Sequence, residues 1–309
     1  MTTAPTKPSH LEPSKLGTKQ YWDALYATEL TNHASNPEDE GTVWFDDSDA
    51  EAKILEFLDR HLEAPDSTLH LCKAQTTFLD LGCGNGSLLF ALRDDGWEGR
   101  LLGVDYSEAS VALAVKVGAA RRKRAEEEAE EEQNGDGEEE KEVNGNSRED
   151  ADGFTTPGRD AHNNAISAPA PGSKSVDFMV WDVLAGPIPA VSANPRTSSS
   201  SESDSAVAGW DVVLDKGTFD AVSLSDQKDE SGRRICEDYR GRVLRLLRTG
   251  GVFLVTSCNW TEEELKGWFE GGEGGVEGQL KQVDRVEYRS FSFGGVKGQT
   301  ISTACFMKV

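Results

Sequence analysis

At 309 residues the chain has room for one large domain or two small ones. Its formal charge of −23 argues against a nucleic-acid binder, which needs Lys and Arg to neutralise phosphates, and suits a basic protein partner. No apolar run reaches the roughly 18–20 residues of a membrane span. The five cysteines are odd in number, widely spaced and without a C-x-x-C pair, which argues against a disulfide framework or zinc site and for a reducing compartment.

Residues 1–15 are rich in Pro, Ser and Thr, lack the apolar core of a signal peptide, and are expected to form a disordered tail. Order is expected from Leu16. Tyr21, Trp22, Leu25 and Tyr26 make an aromatic stripe on a helix. Residues 38–45 read as a loop carrying Trp44 and Phe45, and residues 50–62 as an amphipathic helix with Ile54, Leu55, Leu58 and Leu62 on one side. Residues 78–81 form a short buried strand with an acid set into it. Glycines 82, 84 and 86 follow, then a helix starting near Ser87 and carrying Leu88, Leu89, Ala91 and Leu92. Strand, glycine turn and helix make the opening unit of a doubly wound α/β sheet, in which ligands bind beyond the carboxyl ends of the strands.

Residues 100–107 read as a second strand ending in Asp105, with Ser107 as the N-cap of the next helix. Residues 121–174 then combine a Glu run, an Asn/Gly/Asp run and a Pro/Ala/Gly run. They hold too few apolar groups to offset the entropy of ordering and are expected to be a disordered insertion, its opening extending the helix a few turns. Within it, residues 125–150 carry thirteen Asp or Glu against two Lys or Arg, a local charge of −11. The third strand spans 175–183 and closes on Trp181-Asp182-Val183, and a second, Ser-rich insertion covers 190–209. The fourth strand, 210–215, runs straight into Lys216-Gly217-Thr218-Phe219-Asp220. Ile235, Tyr239, Val243, Leu246 and Leu247 mark a helix, and residues 252–256 a fifth strand. Thr261 and Glu264 have capping-box spacing, and 283–293 with 300–309 form a closing strand pair.

Two readings compete at the glycine turn. A dinucleotide fingerprint is G-x-G-x-x-G, but Ser87 stands where its third glycine belongs, and Asp80 precedes Gly82 by two. Asp-x-Gly-x-Gly-x-Gly, here Asp80, Gly82, Gly84 and Gly86, resembles motif I of class I S-adenosylmethionine (SAM) methyltransferases, whose turn faces the methionine and ribose of the cofactor. The alternative is a turn that only packs a strand against a helix. Asp105, a strand-end acid 25 positions after Asp80, is the candidate to accept hydrogen bonds from ribose hydroxyls. The same resemblance makes Asp182 the candidate partner of the adenine amino group; otherwise it caps a loop. Past the fourth strand, beside the switch point, Asp215 is the candidate to neutralise or orient an incoming amine, and Phe219 to wall the site. Trp44, Asn259 and Trp260 either complete an acceptor pocket or are structural. Methyl transfer from a sulfonium depends on positioning, so neither a Ser/His/Asp triad nor a metal is expected, and the five histidines are scattered.

Four stretches resemble one family, the eukaryotic protein-lysine methyltransferases that act on translation elongation factor 1-alpha. They are Leu16-Gly17-Thr18-Lys19-Gln20-Tyr21-Trp22-Asp23-x-Leu25-Tyr26, Val43-Trp44-Phe45, the run from Leu79 to Gly86, and Leu214-Asp215-Lys216-Gly217-Thr218-Phe219-Asp220-Ala221. The first and last are the most specific. Residues 121–174 and 190–209 depart from the compact family pattern. The resemblance implies a seven-stranded, doubly wound, mostly parallel α/β fold over 16–309, with SAM as donor and a lysine of the elongation factor as acceptor. It also implies a cytoplasmic location, the nucleus left open; separately, a monomer with neither nucleic-acid nor membrane partner is expected. The competing expectations are a methyltransferase of another protein or small molecule, and a non-catalytic interaction protein on the same fold.

Overall fold

The structure is a computed structural model that describes residues 8–63, 68–135, 175–194, 209–270, 278–289, 291–293, 296–298 and 300–309. Of the insertions expected over 121–174 and 190–209, residues 136–174 and 195–208 lie outside the described residues. The chain forms two compact units, 1–118 with 176–309, and 119–175.

In the first unit, order begins earlier than composition suggests. The Ser14 amide donates to the Leu224 carbonyl at 3.1 Å, Leu11 packs against the core, and the His10 ring stands 5.8 Å from that of Trp268. Single anchors hold this strap, so no periodic pattern announces it. Helix α1 (Lys19–Ser35) starts at Thr18, whose side chain accepts from the Tyr21 amide. Helix α2 (Ala50–Glu63) buries Ile54, Phe57 and Leu58.

The sheet begins with β1 (Phe78–Leu81), fully buried, followed by α3 (Ser87–Asp94) and β2 (Leu101–Asp105). Helix α4 (Glu108–Gly135) opens directly after Ser107. Next come β3 (Asp177–Val180), β4 (Trp210–Lys216), the short α5 (Thr218–Ser223), α6 (Tyr239–Leu246) and β5 (Leu247–Ser257). Helix α7 (Glu262–Phe269) carries the expected capping box of Thr261 and Glu264. The chain closes with β6 (Leu280–Val286), β7 (Phe291–Phe293), β8 (Val296–Gly298) and β9 (Ser302–Lys308).

Seven strands form one sheet in the order β3-β2-β1-β4-β5-β9-β6. The first five are parallel, and β9 runs antiparallel to both β5 and β6. The closing pair is therefore β6 with β9, while β7 and β8 form a separate hairpin that takes the end of the expected 283–293 strand. Alternation along the central strands splits the core. Leu79, Leu81, Val213 and Phe253 belong to one cluster, and Phe78, Val212, Leu214 and Leu254 to the other. Burial on both faces is what a parallel sheet between helix layers requires.

Part of the expected second insertion is structured. Residues 188–191 form a 3-10 turn, Val191 and Ala193 are buried, and Trp210 Nε1 donates to the Val191 carbonyl at 2.7 Å. These two apolar residues cover the Trp210 ring, which the polar surroundings of 190–209 obscured.

In the second unit the described part is helical, as α4 continues to Gly135. The first fifteen residues of the expected 121–174 insertion are therefore helix. Ala, Glu, Arg and Lys all favour helix, and opposite charges four apart support it, as in Lys123 Nζ to Glu127 Oε1 at 3.2 Å.

Candidate functional site

The strand order reverses between the parallel neighbours β1 and β4, whose ends stand in register at Leu81 and Asp215. A crevice opens beyond such a point. Here it is a cavity of about 300 Å³ within the first unit. One side is formed by Gly82, Asp105 and Tyr106 from the β1 and β2 ends, with Trp181 and Asp182 after β3. The other is formed by Lys216, Gly217 and Asp220 after β4, with Cys258 and Asn259 after β5. Trp22 and Tyr26 of α1, with Trp44 and Phe45 of the following loop, line it from outside the sheet.

The turn after β1 needs glycine at 82 and 84. Both adopt positive φ, 67° and 56°, where a side chain is strained. A β-carbon on Gly82 would stand 2.1 Å from Thr218 Oγ1, and one on Gly84 2.7 Å from the Tyr26 hydroxyl. The Gly82 and Cys83 amides donate to the Val104 carbonyl at 2.7 and 3.0 Å, fixing the turn against β2. The Gly84 amide in turn donates to Asp105 Oδ2 at 3.3 Å, and the Ser107 amide to Asp105 Oδ1 at 2.9 Å. Asp105 is nearly buried, and burial pushes its carboxyl up although these amides favour the charged form.

Asp80 is buried within β1, and burial raises its carboxyl well above the usual range while Lys216 pulls the other way. Lys216 Nζ donates to the Trp44 carbonyl at 3.0 Å and pairs with Glu51 at 3.4 Å; Glu51 accepts from the Ser87 hydroxyl at 2.5 Å. One lysine thus ties the β4 end to the Trp44 loop, to α2 and to the start of α3.

The sequence candidates separate on this geometry. Gly82, Asp105 and Asp182 line the main cavity, as do Trp44 and Asn259. Asp80 and Gly84 line a separate void of about 20 Å³ behind the turn. Gly86 lines neither: a β-carbon there would stand 2.6 Å from the Phe178 ring, so its service is to packing. Asp182 is exposed at the cavity wall, and its Oδ1 also caps the loop by accepting from the Leu184 and Ala185 amides at 2.8 and 3.3 Å. The loop-capping reading therefore describes it, in a residue that also lines the cavity.

Asp215 and Phe219, expected to handle the amine, do not line the cavity. Asp215 is 1% exposed, and its carboxylate accepts from the Thr218 and Phe219 amides at 2.8 and 3.1 Å and from the Tyr239 hydroxyl at 2.6 Å. It anchors the start of α5. Phe219 is buried among Tyr239, Trp268 and Phe269, and Trp260 packs with it. The half-turn between β4 and α5 points these side chains inward and brings Asp220 to the cavity instead. Asp220 belongs to the same Lys216–Asp220 run, and no spacing in the sequence singles it out. No histidine lines the cavity, and among the described residues no cluster could hold a metal ion.

Residues 72–136 match a family model described as a methyltransferase domain. The chain is 34% identical over 298 residues to the Saccharomyces cerevisiae protein-lysine N-methyltransferase EFM4, covering 96% of each. It is 28% identical over 301 residues to EEF1A lysine methyltransferase 2 of Danio rerio, covering 97% of this chain and 91% of that one. Among solved structures, a magnesium protoporphyrin IX methyltransferase from Synechocystis with bound SAM aligns with 92% of this chain and 97% of its own, at 11% identity and a TM-score of 0.42.

Proposed function

Because the chain belongs to the protein-lysine N-methyltransferase family that includes EFM4 and EEF1A lysine methyltransferase 2, we propose that it methylates a lysine side chain of translation elongation factor 1-alpha with SAM as donor. The observation that carries the reading is a single cavity lined on one side by Gly82, Asp105 and Asp182 and on the other by the Lys216–Asp220 edge and Asn259. Donor and acceptor chemistry can meet in it.

The residues present fit SAM. Trp44 lines the cavity, and its buried indole N–H finds no hydrogen-bond acceptor among the described residues. Asp105 receives two backbone amides, and a carboxylate has acceptor sites for more. Asp105 would hold the ribose hydroxyls, Asp182 the adenine amino group, and the Gly82 backbone would lie along the amino-acid end. When bound, SAM supplies a methyl group already activated by a positively charged sulfur.

The chain's own residues then have to position the lysine nitrogen and exclude water. Trp22, Trp44 and Phe45 give the cavity aromatic walls outside the sheet, and the Lys216 bond to the Trp44 carbonyl holds that loop in place. The reaction belongs in the cytoplasm, where the five free thiols and the translation machinery both fit.

The test uses elongation factor purified from a deletion strain. Incubation with this protein and labelled SAM should label one lysine, located by mass spectrometry. No label on the factor, with SAM binding intact by calorimetry, would leave the donor site standing and remove the substrate.

A further inference from the structure

We infer that Asp220 receives the ammonium group of the acceptor lysine, on the opposite side of the cavity from Asp105. The inference rests on the lysine-methyltransferase reading above. Asp220 is 5% exposed yet lines the cavity. The Ser257 hydroxyl donates to its Oδ1, and Oδ2 accepts from the Cys258 amide at 2.8 Å and the Cys258 thiol at 3.4 Å. Each of these donors is neutral. No Lys or Arg among the described residues pairs with the group, whereas the more exposed Asp211 has Arg248 and Asp284 has Arg60. A buried carboxylate without a cation is costly unless the site is built to meet one. The open side of Asp220 faces a hollow that has to accept a primary amine.

The surroundings explain what the group does once it is met. Asp215 lies behind it as a second buried acid, its carboxyl pushed up first by burial and further by the Asp220 charge, while Lys19 and Lys216 also line the cavity. A lysine entering past Phe45 exchanges water for this carboxylate and forms a charge-assisted hydrogen bond. Burial also pushes the Asp220 carboxyl up, and desolvation lowers the proton affinity of an amine, so both favour passage of one proton from nitrogen to Asp220. The freed lone pair on nitrogen forms the bond to the methyl carbon as the sulfur–carbon bond breaks, its electrons staying on sulfur. The methylated nitrogen keeps one positive charge. The proton on Asp220 leaves to solvent by way of Cys258, which is exposed.

Two measurements test this. In the presence of S-adenosylhomocysteine, binding of the unmethylated elongation factor is compared with binding of its Lys→Met form at the lysine that mass spectrometry identifies. The intact protein should favour lysine by about tenfold, and Asp220→Asn should erase the preference while homocysteine-nucleoside affinity stays within about twofold. No preference in the intact protein, or a preference that survives Asp220→Asn, overturns the assignment. The second measurement needs no variant. A carbodiimide joins amines to carboxylates in direct contact, so the intact complex should give a peptide linking that lysine to Asp220, absent with the Lys→Met factor. Links only to other carboxylates overturn it. Failure of methyl transfer to the factor by the intact protein would instead strike the substrate reading.

Discussion

A carboxyl group sealed beneath α5 ties the stability of this protein to pH. Asp215 is pushed up to about 7 by burial, against the pull of the Tyr239 hydroxyl and the Phe219 and Thr218 amides. In the unfolded chain it titrates near 3.9, about the usual aspartate value. Between these values the folded protein holds a proton that the unfolded chain has released. The stability from that proton is complete below about pH 4 and is lost as pH rises through about 7. Asp80, Asp105 and Asp220 are raised by burial too and act in the same direction. The melting temperature should therefore fall between pH 5.5 and 7.5, and fall less in Asp215→Asn, which keeps the shape and removes the charge. Equal slopes in the two proteins would show that Asp215 stays ionised in the fold. The same side chain shows how far the site could be read in advance. Asp105 and Asp182 were legible because a strand-end acid in this fold reaches the crevice whatever its neighbours do. Asp215 and Asp220 sit five apart across a junction from strand to helix, and which of them turns inward depends on the φ of 90° at Gly217, which the order of residues does not state.

The segment before α1 is where element and cavity meet. Ser14 hydrogen-bonds Leu224, Gly17 packs so close to Leu224 that a β-carbon would stand 2.2 Å from its carbonyl, and the Trp22 indole donates to the Leu16 carbonyl at 2.7 Å. Leu16 and Gly17 then form part of the cavity wall. A truncation removing residues 1–17 should leave the sheet folded, because of that segment only the partly buried Leu11 packs against a core cluster. It should weaken S-adenosylhomocysteine binding about tenfold, the equivalent of about 1.4 kcal/mol of lost contact. Calorimetry reads it, with far-UV circular dichroism as the control for folding; unchanged affinity would make the strap a bystander. Periodicity exposed α2, β1 and α7 in the sequence because each presents a repeating apolar face or a capping box. The strap gave no such signal, since its hold is one backbone bond and a few single side chains. The long α4 was hidden for the opposite reason. Its charged stretch resembles a disordered run in composition, but Ala, Glu, Lys and Arg are also strong helix formers and pair across turns.

The cavity lies in the first unit, so the charge of the 121–174 insertion can be tested apart from the chemistry. Every residue named in the cavity wall lies in the first unit, between Leu16 and Asn259. Residues 121–174 contribute −7 of the net −23, and none of those described, 121–135, lines that wall. Replacing them with a short Gly/Ser linker should keep S-adenosylhomocysteine affinity and kcat within about twofold, since no group that positions donor or acceptor is touched. The effect belongs in the encounter instead. Negative charge steers a basic acceptor over about a Debye length, and that steering is screened by salt. KM for the elongation factor should rise steeply with salt in the intact protein, by about fivefold between roughly 50 and 300 mM, and less in the excised form. A salt dependence identical in both would place the acceptor's electrostatic contact on the first unit alone. Loss of donor binding on excision would show that residues 121–174 support a cavity whose lining residues all lie in the first unit.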